Sequence, residues 1–133
     1  VPILVTRTRE GRVKAYMNVC RHRGGRIVTQ ADGQATTFSC PYHSWTYDLD
    51  GKLIASPHFG GTDKHKPNGF EPKKYGLESI RIKVWHDWIF VNLNKKAPPF
   101  EKYAKGNKKR HLQSFKKILF HNKWFYYSTT NTF

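Results

Sequence analysis

Two short segments constrain this chain more than anything else in it: Cys20-Arg21-His22 and, after 17 intervening residues, Cys40-Pro41-Tyr42-His43. Each offers one thiol and one imidazole within a few residues. Each follows a strand-like run and precedes a turn signal, Gly24-Gly25 in the first case and the Ser44-Trp45 entry to a hairpin in the second. Two cysteines are too few for a disulfide framework. Two turns of this kind, each with a mixed Cys/His pair, can meet tip to tip around a metal centre; the bland alternatives are two buried cysteines with incidental histidines, or a single disulfide with no metal. Thiolates suit iron–sulfur clusters and zinc, and imidazole suits zinc, copper and iron, so ligand type alone leaves several metals open. Zinc fingers commonly segregate Cys with Cys and His with His. The mixed pairs match instead a two-iron, two-sulfide cluster with both cysteines on one iron and both histidines on the other.

The surrounding pattern is one of short strands. Residues 2–6 are an apolar run, Glu10-Gly11 marks a turn, and Val13, Ala15, Met17 and Val19 alternate with Lys14, Tyr16 and Asn18, as a strand with one buried face does. A further strand is predicted over 34–39, and 45–49 with 52–54 around Asp50-Gly51 predict a hairpin. Residues 55–76 hold Pro57, Gly60, Gly61, Pro67, Gly69, Pro72 and Gly76, which predicts a long surface loop. Ile80, Ile82 and Val84, then Ile89, Val91 and Leu93, alternate on either side of His86-Asp87 and predict a second antiparallel hairpin. Pro98-Pro99 ends the β-rich part, since a proline pair cannot continue a ladder. Beyond it, Leu112, Phe115, Ile118 and Leu119 sit at helical spacing, predicting a helix over about 108–121, and the aromatic run 124–127 follows.

At 133 residues, with 38% hydrophobic and 15% aromatic content, the chain is one ordinary domain or a small domain plus part of another. That composition excludes a disordered chain. No apolar run reaches the roughly 18 to 20 residues of a membrane span. The first residue is Val1, so the natural N-terminus is expected to lie outside the sequence. A net charge of +15 favours nucleic acid, anionic lipid or an acidic protein as partner. The charge is uneven, with ten Lys and Arg against Glu101 alone over 95–123, which marks a separate segment. A nucleic-acid module with the 124–127 aromatics as stacking residues explains that segment but leaves the four Cys and His unexplained, so nucleic acid is the poorer partner.

The wording around the ligand pairs resembles a known family. Asn18-Val19-Cys20-Arg21-His22-Arg23-Gly24, Cys40-Pro41-Tyr42-His43, the run Trp45-Thr46-Tyr47-Asp48-Leu49-Asp50-Gly51-Lys52-Leu53 and Ile89-Phe90-Val91-Asn92-Leu93 look like Rieske domains. The version is that of the large (alpha) subunits of Rieske non-heme iron ring-hydroxylating oxygenases. The resemblance covers roughly residues 2–103. It implies an all-β, antiparallel Rieske-type sandwich with two cluster-binding loops, a Rieske domain over 1–96, and a linker with a truncated or aberrant start of a catalytic domain over 97–133. It also implies that Cys20 and Cys40 hold the inner iron of a [2Fe–2S] cluster and His22 and His43 the outer one. With two ferric ions, two sulfides, two thiolates and neutral imidazoles the oxidised charges cancel, so adding an electron costs less than on a four-thiolate cluster. Such centres lie at about −150 to +300 mV, against about −400 mV for plant-type ferredoxins.

The implied function is electron transfer from a ferredoxin or flavin-containing reductase to a mononuclear Fe(II) in an oligomeric, cytoplasmic oxygenase. A free-standing ferredoxin-type carrier is the alternative. None of His58, His65, His86, His111 and His121 forms the family's Asp-x-x-His-x-x-x-x-His cluster, so the catalytic iron is expected outside this chain and no catalytic residue within it. One position departs from the family: Ser44 stands where glycine is usual. If a positive φ is required there, serine costs about 1 kcal/mol; alternatively its hydroxyl donates toward a cluster sulfur. Trp45 and Tyr47 read as core aromatics, Tyr42 as a shield over one loop, Arg21 and Arg23 as surface charge or as a steering pair for an acidic redox protein.

Overall fold

A computed structural model describes residues 1–57, 59, 67–85, 88–107 and 125–128. The chain forms two compact units, Val1–Ser79 and Ile80–Phe133. In the first, β1 (Ile3–Arg7) and β2 (Val13–Met17) make an antiparallel hairpin in which Ile3 faces Met17 and Arg7 faces Val13. Gly11, at φ 78°, closes its turn by donating to the Thr8 carbonyl at 2.9 Å. The alternation that predicts β2 runs on to Val19, but the strand stops at Met17 because the Asn18 side chain is drawn into a loop. Its amide donates to Val28 O at 2.7 Å, and its carbonyl accepts from Ile27 and Val28 N at 3.2 and 3.0 Å.

A second antiparallel sheet holds β3 (Thr37–Ser39), β4 (Thr46–Asp48) and β5 (Leu53–Ala55). The expected strand over 34–39 shrinks to three residues of which Thr37 and Ser39 are exposed. Little apolar surface is buried there to hold a longer one. The β4–β5 turn is built by Asp48, whose carboxylate accepts from Lys52 N at 2.8 Å while Gly51 N donates to Asp48 O at 3.0 Å. Leu4, Tyr16, Trp45, Tyr47, Leu53 and Leu77 fill the core together with Cys20 and Cys40. The sheets are tied by hydrogen bonds to Leu49 O from Thr6 Oγ1 at 3.2 Å and Tyr16 Oη at 3.3 Å, and by the Lys14–Asp50 ion pair at 2.6 Å.

Burial, reinforced by Asp50 and Asp48, pushes the Tyr16 phenol up to about 12. An unfolded tyrosine titrates near pH 10, at about its ordinary value. Between about pH 10 and 12 the unfolded chain therefore binds fewer protons than the folded one, and stability falls as pH rises. Burial raises Tyr47 in the same sense. Tyr16→Phe is expected to make the fall shallower, read as denaturant midpoints at stepped pH.

In the second unit, β6 (Ser79–Trp85) pairs antiparallel with β7 (Trp88–Asn92), as the alternation predicts, and the turn residues 86 and 87 lie outside the described residues. On its other side β7 pairs with β8 (Phe125–Ser128), in a register that sets Phe90 opposite Tyr126. Between them comes α1 (Phe100–Asn107), immediately after the proline pair. The sequence predicts a helix later, over 108–121, and that stretch lies outside the described residues. Phe100 explains why a helix starts here: its ring packs 4.7 Å from Phe90 and 5.9 Å from Trp85, while Glu101 in the first turn pairs with Lys83 at 2.6 Å. Arg81 fixes the approach by donating to the carbonyls of Asn94, Ala97 and Pro98.

Candidate metal centre

The two Cys/His turns are built alike. In the first, Cys20 N donates to Gly25 O at 2.8 Å and Gly24 N donates back to Cys20 O at 3.0 Å. In the second, Cys40 N donates to Trp45 O at 2.9 Å and Ser44 N to Cys40 O at 2.9 Å. Gly24 and Ser44 thus occupy the same place in their turns, and both take left-handed backbone, φ 73° and φ 54°. Ser44 is the one non-glycine residue with positive φ among the described residues. The turn demands that conformation from whichever residue stands there, which is the first of the two readings of Ser44. Left-handed backbone costs an L-residue about 1–2 kcal/mol, partly offset by the entropy glycine loses on folding. Ser44→Gly is therefore expected to stabilise the chain by about 0.5–1 kcal/mol, seen as a higher urea midpoint at unchanged m-value.

These turns bring the four predicted residues together as two pairs, thiol with thiol and imidazole with imidazole. Cys20 and Cys40 are free thiols, each 3% exposed, and the His22 and His43 rings lie 4.7 Å apart, edge to face. Burial, then the neighbouring Cys20, pushes the Cys40 thiol up. Burial, then His43 and Arg23, lowers His22 and so favours neutral imidazole, the form that binds metal. The His43 Nδ1 atom is buried and makes no hydrogen bond. Buried ring nitrogens are normally paired, so one in this state suits a metal ligand. Among the described residues no three Cys, His, Asp or Glu side chains converge as a single-ion site would need, whereas a two-iron cluster asks for only two protein ligands at each iron. The donor set therefore fits a [2Fe–2S] group.

The aromatic residues do more than fill the core. Tyr47 is wholly buried, and its hydroxyl lies 3.4 Å from Cys20 Sγ while accepting from Arg21 N at 3.0 Å. Trp45, 1% exposed, stacks on His22 with ring centroids 4.7 Å apart and planes 8° from parallel. Phe59 stands edge-on to both rings, and Phe70 and Tyr75 complete the cluster around Trp45. Tyr42 is 68% exposed yet its ring lies against Gly25 of the other turn, close enough that a β-carbon there would touch it at 3.4 Å, so it does cover that turn. Arg21 and Arg23 are exposed on either side of His22. His58, His65, His86, His111 and His121 lie outside the described residues.

Residues 1–66 match the family model described as the Rieske [2Fe-2S] domain. The chain belongs to the Rieske family. It is 41% identical over 102 residues to the glycine betaine monooxygenase oxygenase subunit of Pseudomonas aeruginosa, a match covering 77% of this chain and 22% of that one. It is 34% identical to the biphenyl dioxygenase subunit alpha of Metapseudomonas furukawaii, over 77% of this chain and 23% of that one. Among solved structures, naphthalene 1,2-dioxygenase from Rhodococcus sp. superposes with a TM-score of 0.68 at 28% identity, over 76% of this chain and 22% of that one. The matched part is thus about a fifth to a quarter of these relatives, and what it shares with them is the Rieske domain of oxygenase subunits. The Rieske domain takes a [2Fe–2S] cluster, and the sequence-level expectation of an antiparallel Rieske-type β-fold holds. Among the described residues no helix is long and apolar enough to cross a membrane.

Proposed function

We propose that Cys20 and Cys40 hold one iron of the [2Fe–2S] group and His22 and His43 the other, and that this domain is the electron-transfer part of a Rieske non-heme iron oxygenase. It takes one electron from a ferredoxin or a flavin-containing reductase and hands it to a mononuclear iron in a catalytic domain beyond this chain. The observation that carries the reading is the pairing of two turns with the same backbone bonds, which bring two buried thiols and two imidazoles together from segments 17 residues apart. The cluster supplies a one-electron couple at higher potential than a four-thiolate centre. The chain's own residues bury the thiols, with the Tyr47 hydroxyl against Cys20 Sγ, and leave both imidazoles half-buried, the natural exit for an electron. Arg21 and Arg23 beside that exit suit an acidic donor.

The test is an electron paramagnetic resonance spectrum of the anaerobically purified, dithionite-reduced chain, with iron, zinc and acid-labile sulfide assayed on the same sample. A rhombic signal of the nitrogen-ligated type with equal iron and sulfide is expected. Zinc without sulfide overturns the electron-transfer reading and restores a structural metal.

A further inference from the structure

A histidine that binds a metal through one nitrogen still has to be held in rotation, because the terminal torsion of the imidazole is broad. The usual device is a hydrogen bond from the other ring nitrogen to a carboxylate or carbonyl. The His22 ring makes no such bond among the described residues. What it has instead is a flat face of indole: Trp45 lies 4.7 Å away and 8° from parallel, and is itself locked at 1% exposure by edge contacts with Phe59 at 5.3 Å and Tyr75 at 5.9 Å. His43 meets the same imidazole edge-on, at 76°, so it bounds the ring without fixing its plane. Trp45 is also the residue whose carbonyl closes the second turn by accepting from Cys40 N, which ties the indole's backbone to a predicted ligand.

We propose that Trp45 is a positioning residue for His22, its indole face setting the plane of the imidazole. The proposal rests on His22 being a cluster ligand.

The experiment compares the loaded wild type with Trp45→Phe and Trp45→Leu. Each is reduced with dithionite and read by pulsed electron paramagnetic resonance of the two coordinated nitrogens, with iron and sulfide measured on every sample. Phenylalanine keeps a flat face against the imidazole and leucine does not. Trp45→Phe is expected to keep both nitrogen couplings. Trp45→Leu is expected to keep one and to broaden the other by about twofold or more, as a ring released into a broad torsional well would. Leucine with both couplings intact, or phenylalanine as disturbed as leucine, overturns the proposal. If Trp45→Leu does not fold, wild-type chain carrying ring-deuterated tryptophan decides instead. Trp45 should then imprint deuterium modulation on the reduced centre, and its absence overturns the stack. A wild type with no cluster signal fails the ligand assignment itself, and is read before any variant.

Discussion

The Cys40→Ala chain, purified without oxygen, is expected to carry no acid-labile sulfide and no stoichiometric iron while still reaching the native β-fold, with a lower melting temperature than the loaded wild type. The reason is that one thiol contributes much to a cluster and little to the rest of the core. An iron left with one protein ligand cannot complete its coordination, and since a site of this kind forms only in the folded chain, its binding is lost with the missing thiolate. In the core, by contrast, Cys40 is a small buried side chain, and shortening it by a sulfur costs on the order of 1 kcal/mol. His22→Ala separates the roles further. His22 lies at the edge of the core with no hydrogen bond among the described residues, so its loss should leave the far-ultraviolet spectrum alone and abolish the Rieske signal. Metal and sulfide analysis, the reduced-state spectrum and a thermal melt of the same samples check all of this. A cluster that survives Cys40→Ala or His22→Ala removes that residue from the ligand set. A chain that loses cluster and fold together would make the cluster part of the core.

Much of this was legible because it is local. Cys20 and His22, and Cys40 and His43, each lie within one turn, so their chemistry shows in the chain before any tertiary contact forms. The hairpins around Gly11 and Gly51 and the β6–β7 pair are written in period-2 alternation. Tertiary geometry hid the rest. No spacing rule announces that Trp45 lies parallel to His22, since that angle depends on Phe59, Phe70 and Tyr75, which reach it from a stretch of glycines and prolines that predicts only loop. The helix over Phe100–Asn107 was masked by the prolines before it, which end a ladder and equally well precede a first helical turn. The short β3 overruns in the sequence because Gln34 to Thr36 satisfy strand pattern while burying nothing. Ser44 sits between these cases. Its departure from glycine is visible in the sequence, and its meaning emerges only when the hydrogen bonds of the two turns are seen to match.

Gly51→Ala is expected to cost about 3 kcal/mol, more than any substitution on the surface, from two separable causes. The residue has φ 75°, where a side chain costs about 1–2 kcal/mol. An added β-carbon would also come within 2.5 Å of Tyr16 Cε1. Neither side of that clash yields easily. Tyr16 is 4% exposed and its hydroxyl is bound to Leu49 O at 3.3 Å, while the Gly51 carbonyl is held by Leu77 N at 2.7 Å. Overpacking a fixed site of this kind adds about 1–3 kcal/mol. Gly11→Ala supplies the control, since Gly11 has nearly the same φ, 78°, and a β-carbon there meets nothing within 4 Å. Denaturant titrations of the two variants should therefore differ by the clash alone, with Gly11→Ala losing about 1 kcal/mol and Gly51→Ala at least twice that. Equal losses would mean that Tyr16 moves aside. Because β4 joins this turn directly to Trp45 and the Cys40 turn, a chain that survives Gly51→Ala should also load less iron and sulfide at a given temperature than Gly11→Ala.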